Sequence, residues 1–118
     1  MTATALRGRV LSVAVLTALA LALIAWPPGS DARVTKRVTV GDIFFKPTTL
    51  TVRRGTRVRW VWTGDLPHNV TVVRGRQRFK SPTQTSGSFS RILRRRGRMR
   101  LICTVHGGAR QSMRITVR

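Results

Sequence analysis

Residues 103–113, reading CTVHGGARQSM, gather the chain's single cysteine, one of its two histidines and one of its three methionines. Cys103 and His106 stand three positions apart, where a strand-like run over 99–103 gives way to Gly107 and Gly108. The other histidine, His68, lies far upstream in Leu66-Pro67-His68-Asn69-Val70. Two imidazoles, one thiolate and a more distant thioether, Met113, are the donors of a trigonal His₂Cys copper site with a long axial sulfur. Thiolate and thioether are soft ligands that favour copper, and imidazole suits it as well. The bland alternative is that Cys103 is a small buried hydrophobe, and a Cys-x-x-His pair also fits half of a zinc site. The convergence of a strand-end cysteine, a short-loop histidine and a Pro-His-Asn corner favours the copper reading.

The elements that must position these donors read as strands. Residues 34–40 carry β-branched side chains in partial alternation, and 48–52 alternate again. Val58, Trp60 and Trp62 share one face, opposite Arg57, Arg59 and Val61. Extended structure resumes at 70–73 and again at 88–93. Met99, Leu101 and Cys103 face one side of the next run, and Met113, Ile115 and Val117 one side of the last. Arg53-Arg54-Gly55 and Arg94-Arg95-Arg96-Gly97 read as basic turns in which glycine supplies positive φ. Ile43-Phe44-Phe45-Lys46-Pro47 reads as an aromatic corner, because Pro47 cannot donate to a ladder. Residues 74–88 are the least patterned, with Phe79 expected to anchor them to the core. No part of 33–118 holds a 3.6-residue period long enough for a helix. Seven or so short strands with regular turns predict an all-β sandwich or barrel. Cys103, in phase with Leu101 and Met99, is then presented from the inner face at one end. His68 follows a Pro-fixed turn and reaches it if the strands near 70 and 100 lie side by side.

The first third of the chain does not read as a domain. Arg7 and Arg9 precede an apolar run of 17 residues, 10–26, and small residues at Ser30 and Ala32 suit a cut after Ala32. Residues 1–32 are therefore read as a signal peptide, with an uncleaved anchor as the alternative, since 17 residues lie at the lower edge of what spans a bilayer. No cysteine near the cut offers a lipid attachment point. The chain is expected to be exported, to the periplasm, the exterior or the cell envelope, with 33–118 as its copper-binding domain. That domain has 86 residues and one cysteine, so it has no internal disulfide, and a core this small gains from a metal staple. An odd cysteine in an exported chain is either an intermolecular bridge or a reserved thiol, and metal ligation accounts for it.

The chain carries 23 basic against 3 acidic side chains; residues 33–118 keep 21 against 2. Such a surface suits an acidic redox partner or an anionic membrane, although solvation of outward strand faces explains it equally well. Export, and the lack of the stacking-aromatic motif of RNA-binding sheets, argue against a nucleic-acid role. A monomer is expected.

In order and spacing, Phe45-Lys46-Pro47, the run Leu50 to Trp60, Asp65-Leu66-Pro67-His68-Asn69-Val70 and Gly97 leading to Cys103-Thr104-Val105-His106 resemble the cupredoxins, small blue copper proteins of the plastocyanin–pseudoazurin type. The resemblance covers about 36–118. It implies an eight-stranded Greek-key β-sandwich with copper at one end, shuttling single electrons. It makes His68, Cys103 and His106 the equatorial ligands and Asn69 the residue that ties the two ligand loops together. Relatives usually place an axial Met three to five residues after the second His. Here those positions are Ala109, Arg110 and Gln111, with Met113 at seven. Met113 is preferred and Gln111 is the alternative. The rival functions are copper delivery or buffering, an oxidase or nitrite-reductase-like module, and a metal-free cationic sandwich. Delivery proteins carry more Met and His than this chain, and oxygen chemistry needs further histidines. A non-enzymatic one-electron carrier is the favoured reading.

Overall fold

The computed structural model describes residues 34–118, so the expected signal segment 1–32 lies outside the described residues. Eight strands are formed: β1 (Thr35–Gly41), β2 (Phe44–Lys46), β3 (Thr49–Val52), β4 (Arg57–Trp62), β5 (Thr71–Arg74), β6 (Ser88–Ile92), β7 (Gly97–Ile102) and β8 (Ser112–Val117). They make two four-stranded sheets, ordered β2-β1-β4-β6 and β3-β8-β7-β5. The pairs β1–β4 and β3–β8 are parallel; β1–β2, β4–β6, β5–β7 and β7–β8 are antiparallel. The eighth strand is β2, read from the sequence as a corner. It pairs for three residues beside β1 and stops at Pro47, whose missing N–H matters little on an edge.

Period-two alternation accounts for the layers. Val58, Trp60 and Trp62 of β4 turn inward with Val38 and Val40 of β1, against Met99 and Leu101 of β7 and Met113, Ile115 and Val117 of β8. Phe79 fastens the irregular stretch after β5 as expected, its ring 5.7 Å from Trp60 and 6.0 Å from Phe89. Among the described residues every buried hydrophobic falls between Val38 and Val117, so the sandwich contains its own core.

The two ends of the sandwich differ in kind. The starts of β1, β4 and β7 and the ends of β3, β6 and β8 meet at one pole, where Arg54 N–H donates to the Arg118 carbonyl at 2.8 Å and Gly55 N–H to the Leu93 carbonyl at 2.7 Å. The opposite pole holds the β1–β2 turn, the loop 63–70 and the β7–β8 loop 103–111. β5 lies directly beside β7, with Thr71 opposite Ile102, so the loops carrying His68 and Cys103 emerge side by side.

Candidate metal centre

Three elements deliver the donors. Cys103 follows the last residue of β7, still in phase with Leu101, and is fully buried. The loop after it folds back on itself: Gly107 N–H donates to the Cys103 carbonyl at 2.9 Å and Gln111 N–H to the Gly107 carbonyl at 3.0 Å. This tight return brings His106 over Cys103. His68 is pinned by two backbone bonds with Gln84, each 3.0 Å, and its carbonyl accepts the Trp62 indole N–H at 3.1 Å.

The ligand atoms of His68, Cys103 and His106 all lie within 4.8 Å of one another. His68 Nδ1 and His106 Nδ1 are 3.2 Å apart, and Cys103 Sγ is 3.6 Å from His106 Nδ1. A fourth donor joins them. Gln111 Oε1 is 2.9 Å from His68 Nδ1 and 3.2 Å from His106 Nδ1. The orientation of this amide is not arbitrary, because its Nε2 donates to the Gly41 carbonyl at 3.2 Å and to the Phe44 carbonyl at 3.0 Å. Only the oxygen is left to face the cluster.

The structure places the expected axial residue elsewhere. Met113 lies on the inner face of β8 opposite Leu101, and its sulfur accepts the Trp60 indole N–H at 3.4 Å. The reason is register. Ile102 pairs with Ser112 and Cys103 N–H donates to the Gln111 carbonyl at 3.1 Å, so the residue across from the cysteine is Gln111. Met113 is two residues deeper, in the layer below the donors. Of the two candidates, the structure brings the alternative, Gln111, to the cluster and not the preferred Met113.

A second set of residues orients the donors. Asp42, in the β1–β2 turn, is one of them. Its Oδ1 lies 2.9 Å from His68 Nε2, while its carboxylate accepts the Asp65 N–H at 2.9 Å and the Leu66 N–H at 3.0 Å. Gly64 permits this approach, since a Cβ there would collide with the Asp42 carboxylate. The Asp65 N–H, the His68 ring and the Leu66 N–H together hold the Asp42 carboxyl down from 3.8 to about 2. With Nε2–H turned to a carboxylate, His68 offers the lone pair of Nδ1 to the cluster. Asn69 joins the two ligand loops: its Nδ2 donates to Thr104 Oγ1 at 2.7 Å and its Oδ1 accepts the Thr104 N–H at 3.1 Å.

Two ring nitrogens, a thiol sulfur and an amide oxygen aimed at one buried point, with a carboxylate behind one ring, fit a copper ion by the chemistry of the donor set. His68, Cys103 and Gln111 are buried at 0 % exposure, whereas His106 is partly exposed. Three of the four large exposed hydrophobics, Phe44, Leu66 and Val105, sit on the turn and loops of this pole.

The family model described as copper binding proteins, plastocyanin/azurin family, matches residues 32–118. Among solved structures, a purple cupredoxin from Nitrosopumilus maritimus is similar at 24 % identity, covering 70 % of this chain and 98 % of its own, with a TM-score of 0.61. A methionine-to-glutamine mutant of amicyanin in the Cu(I) state gives 24 % identity, 75 % and 89 % coverage and a TM-score of 0.63. A copper-containing nitrite reductase from Thermus scotoductus SA-01 gives 22 % identity and a TM-score of 0.60, with 73 % of this chain aligned to 22 % of that one. These likenesses speak for the fold. A search among curated proteins finds no match. The matched span, from before β1 to the last residue, includes every donor described above, and the chain belongs to the plastocyanin/azurin family of copper-binding proteins.

Proposed function

We propose that this chain is an exported one-electron carrier whose copper would be held by His68, Cys103, His106 and Gln111. The observation that carries the reading is the closure of the site. Three donors are fully buried and a fourth, His106, is partly exposed between Val105 and Gly107. Substrate chemistry needs an open position at the metal, and these four donors would leave little room for one. Copper held there supplies a Cu(II)/Cu(I) couple. The protein's share is to hold four donors in place through both oxidation states, using Asp42 on His68, Asn69 between the loops, and the two carbonyls on Gln111. One electron enters or leaves through the His106 ring, and exposed Phe44, Leu66 and Val105 give a partner apolar contact around it.

The chain has two histidines and both are in the cluster, which leaves none for the second copper of an oxidase-type or reductase-type module. Copper delivery remains the rival, and exchange separates the two. Copper-loaded protein is expected to show an intense visible thiolate-to-copper band, to cycle reversibly by one electron, and to keep its copper against a competing chelator. Cys103→Ser should abolish the band. A colourless copper complex, or a coloured one that surrenders its ion within seconds, would overturn the carrier reading.

A further inference from the structure

The pole farthest from the copper ligands is built almost wholly of arginine. Arg53 and Arg54 occupy the β3–β4 turn, Arg94, Arg95 and Arg96 the β6–β7 turn, and Arg118 the end of the chain; all are exposed. Their backbones are tied into one platform. Arg54 N–H donates to the Arg118 carbonyl at 2.8 Å, Leu93 N–H to the Thr56 carbonyl at 2.9 Å, and Gln77 bridges inward, its Nε2 to the Ile92 carbonyl at 2.9 Å and its Oε1 from the Arg94 N–H at 2.8 Å. Arg53, Arg54, Arg96 and Arg118 line a common depression. Among the described residues both side-chain carboxylates, Asp42 and Asp65, lie at the copper pole. Fixing like charges side by side with no side-chain counter-charge is unfavourable for the isolated molecule and is relieved when an anionic surface covers them.

The Val34 carbonyl accepts the Arg57 N–H at 3.0 Å, and Thr35 pairs with Arg57, so the chain enters the sandwich at this same pole. Six exposed arginines gathered on one pole are what the headgroups of an anionic leaflet attract. We propose that the arginine pole docks on an anionic lipid surface, leaving the copper end pointing away from it toward its redox partner. This docking does not depend on the carrier reading, because it involves none of the donors.

The test uses residues 33–118, which contain the whole core, with phosphatidylcholine vesicles either pure or mixed with phosphatidylglycerol. Binding is followed by co-sedimentation, on copper-loaded and on metal-free protein. Binding to the mixed vesicles alone is expected, lost as salt rises to 1 M and the Debye length falls to about 3 Å. At about 1 kcal/mol per arginine near the surface, Arg53→Gln with Arg96→Gln should weaken it about 25-fold. Lys46→Gln with Lys80→Gln, an equal charge change away from this pole, should weaken it less than about threefold. Equal losses from both pairs would mean net charge alone is at work. Tighter binding to a polyglutamate probe than to the vesicles would assign the pole to an acidic protein. Either result, or no binding to anionic vesicles, overturns the proposal, and each can be read whether or not the copper transfers electrons.

Discussion

Gln111 places both amide protons on backbone carbonyls, of Gly41 at 3.2 Å and Phe44 at 3.0 Å, which leaves its oxygen alone to face His68 and His106. An amide oxygen is a harder donor than a thioether and favours Cu(II) over Cu(I). Gln111→Met should therefore raise the reduction potential measured by voltammetry, by about 59 mV for each tenfold shift in relative affinity of a one-electron couple. Met113→Leu should leave the potential where it was. It conserves volume but removes the acceptor of the buried Trp60 N–H, a loss of about 1–3 kcal/mol, read as a fall in Tm of about 4–8 °C for each kcal/mol. The reverse pattern would return the axial role to Met113. Asp42 yields a further prediction. Its carboxyl is held down to about 2, below its unfolded value, so its contribution to stability is full above about pH 4 and disappears as pH falls through about 2. Asp42→Asn should flatten that acid limb and weaken copper binding about tenfold, as loss of a carboxylate behind a ligating histidine commonly does. An unchanged acid limb and affinity would mean the 2.9 Å contact orients nothing.

The elements around the site differ in how far the sequence disclosed them. β4, β7 and β8 were legible because Val58-Arg59-Trp60, Met99-Arg100-Leu101 and Met113-Arg114-Ile115 alternate cleanly between core and solvent. β2 was not, since three residues ending at a proline carry too little pattern. His68, Cys103 and His106 were legible from residue type alone, and the Asn69 bridge from the resemblance. Gln111 needed one more step, the register of β7 on β8, which places the partner of Cys103 across the ladder and sends Met113 a layer down. Asp42 left no signal, being 26 residues from the histidine it supports and joined to it through a loop held by Asp65 and Leu66. Gly64 belongs to that joint, because a Cβ there would strike the Asp42 carboxylate. Gly64→Ala should loosen the loop 63–67 and reduce copper affinity on its own, yet cost little more once Asp42→Ala is present, since the two changes break one contact. Additive losses in chemical denaturation and copper titration would show that the glycine serves some other end.

At the scale of the whole molecule six of the arginines, on the far turns and at Arg118, stand away from the site. The arginine turns and the copper loops lie at opposite ends of strands such as β7, six residues long, and six residues of strand span about 20 Å. That is about two Debye lengths at 0.1 M salt, so the far arginines are screened from anything docked beside His106. At lower salt those six arginines would draw an acidic partner to the pole where no donor lies. The prediction is that the apolar rim of Phe44, Leu66 and Val105, rather than the net charge that suggested an acidic partner, governs docking at this pole. Electron transfer should respond accordingly. Val105→Asp, a charge placed on an exposed rim residue, should slow transfer to a partner about tenfold, the factor that corresponds to about 1.4 kcal/mol of lost docking energy. Arg53→Gln with Arg96→Gln should leave the rate unchanged at 0.1 M salt, with the potential of the copper unaltered in both variants. Stopped-flow rates against one acidic and one basic redox protein across ionic strength decide it. If the arginine pair slows the acidic partner alone, and salt does the same, then long-range attraction from the far pole guides the encounter and the apolar rim is secondary.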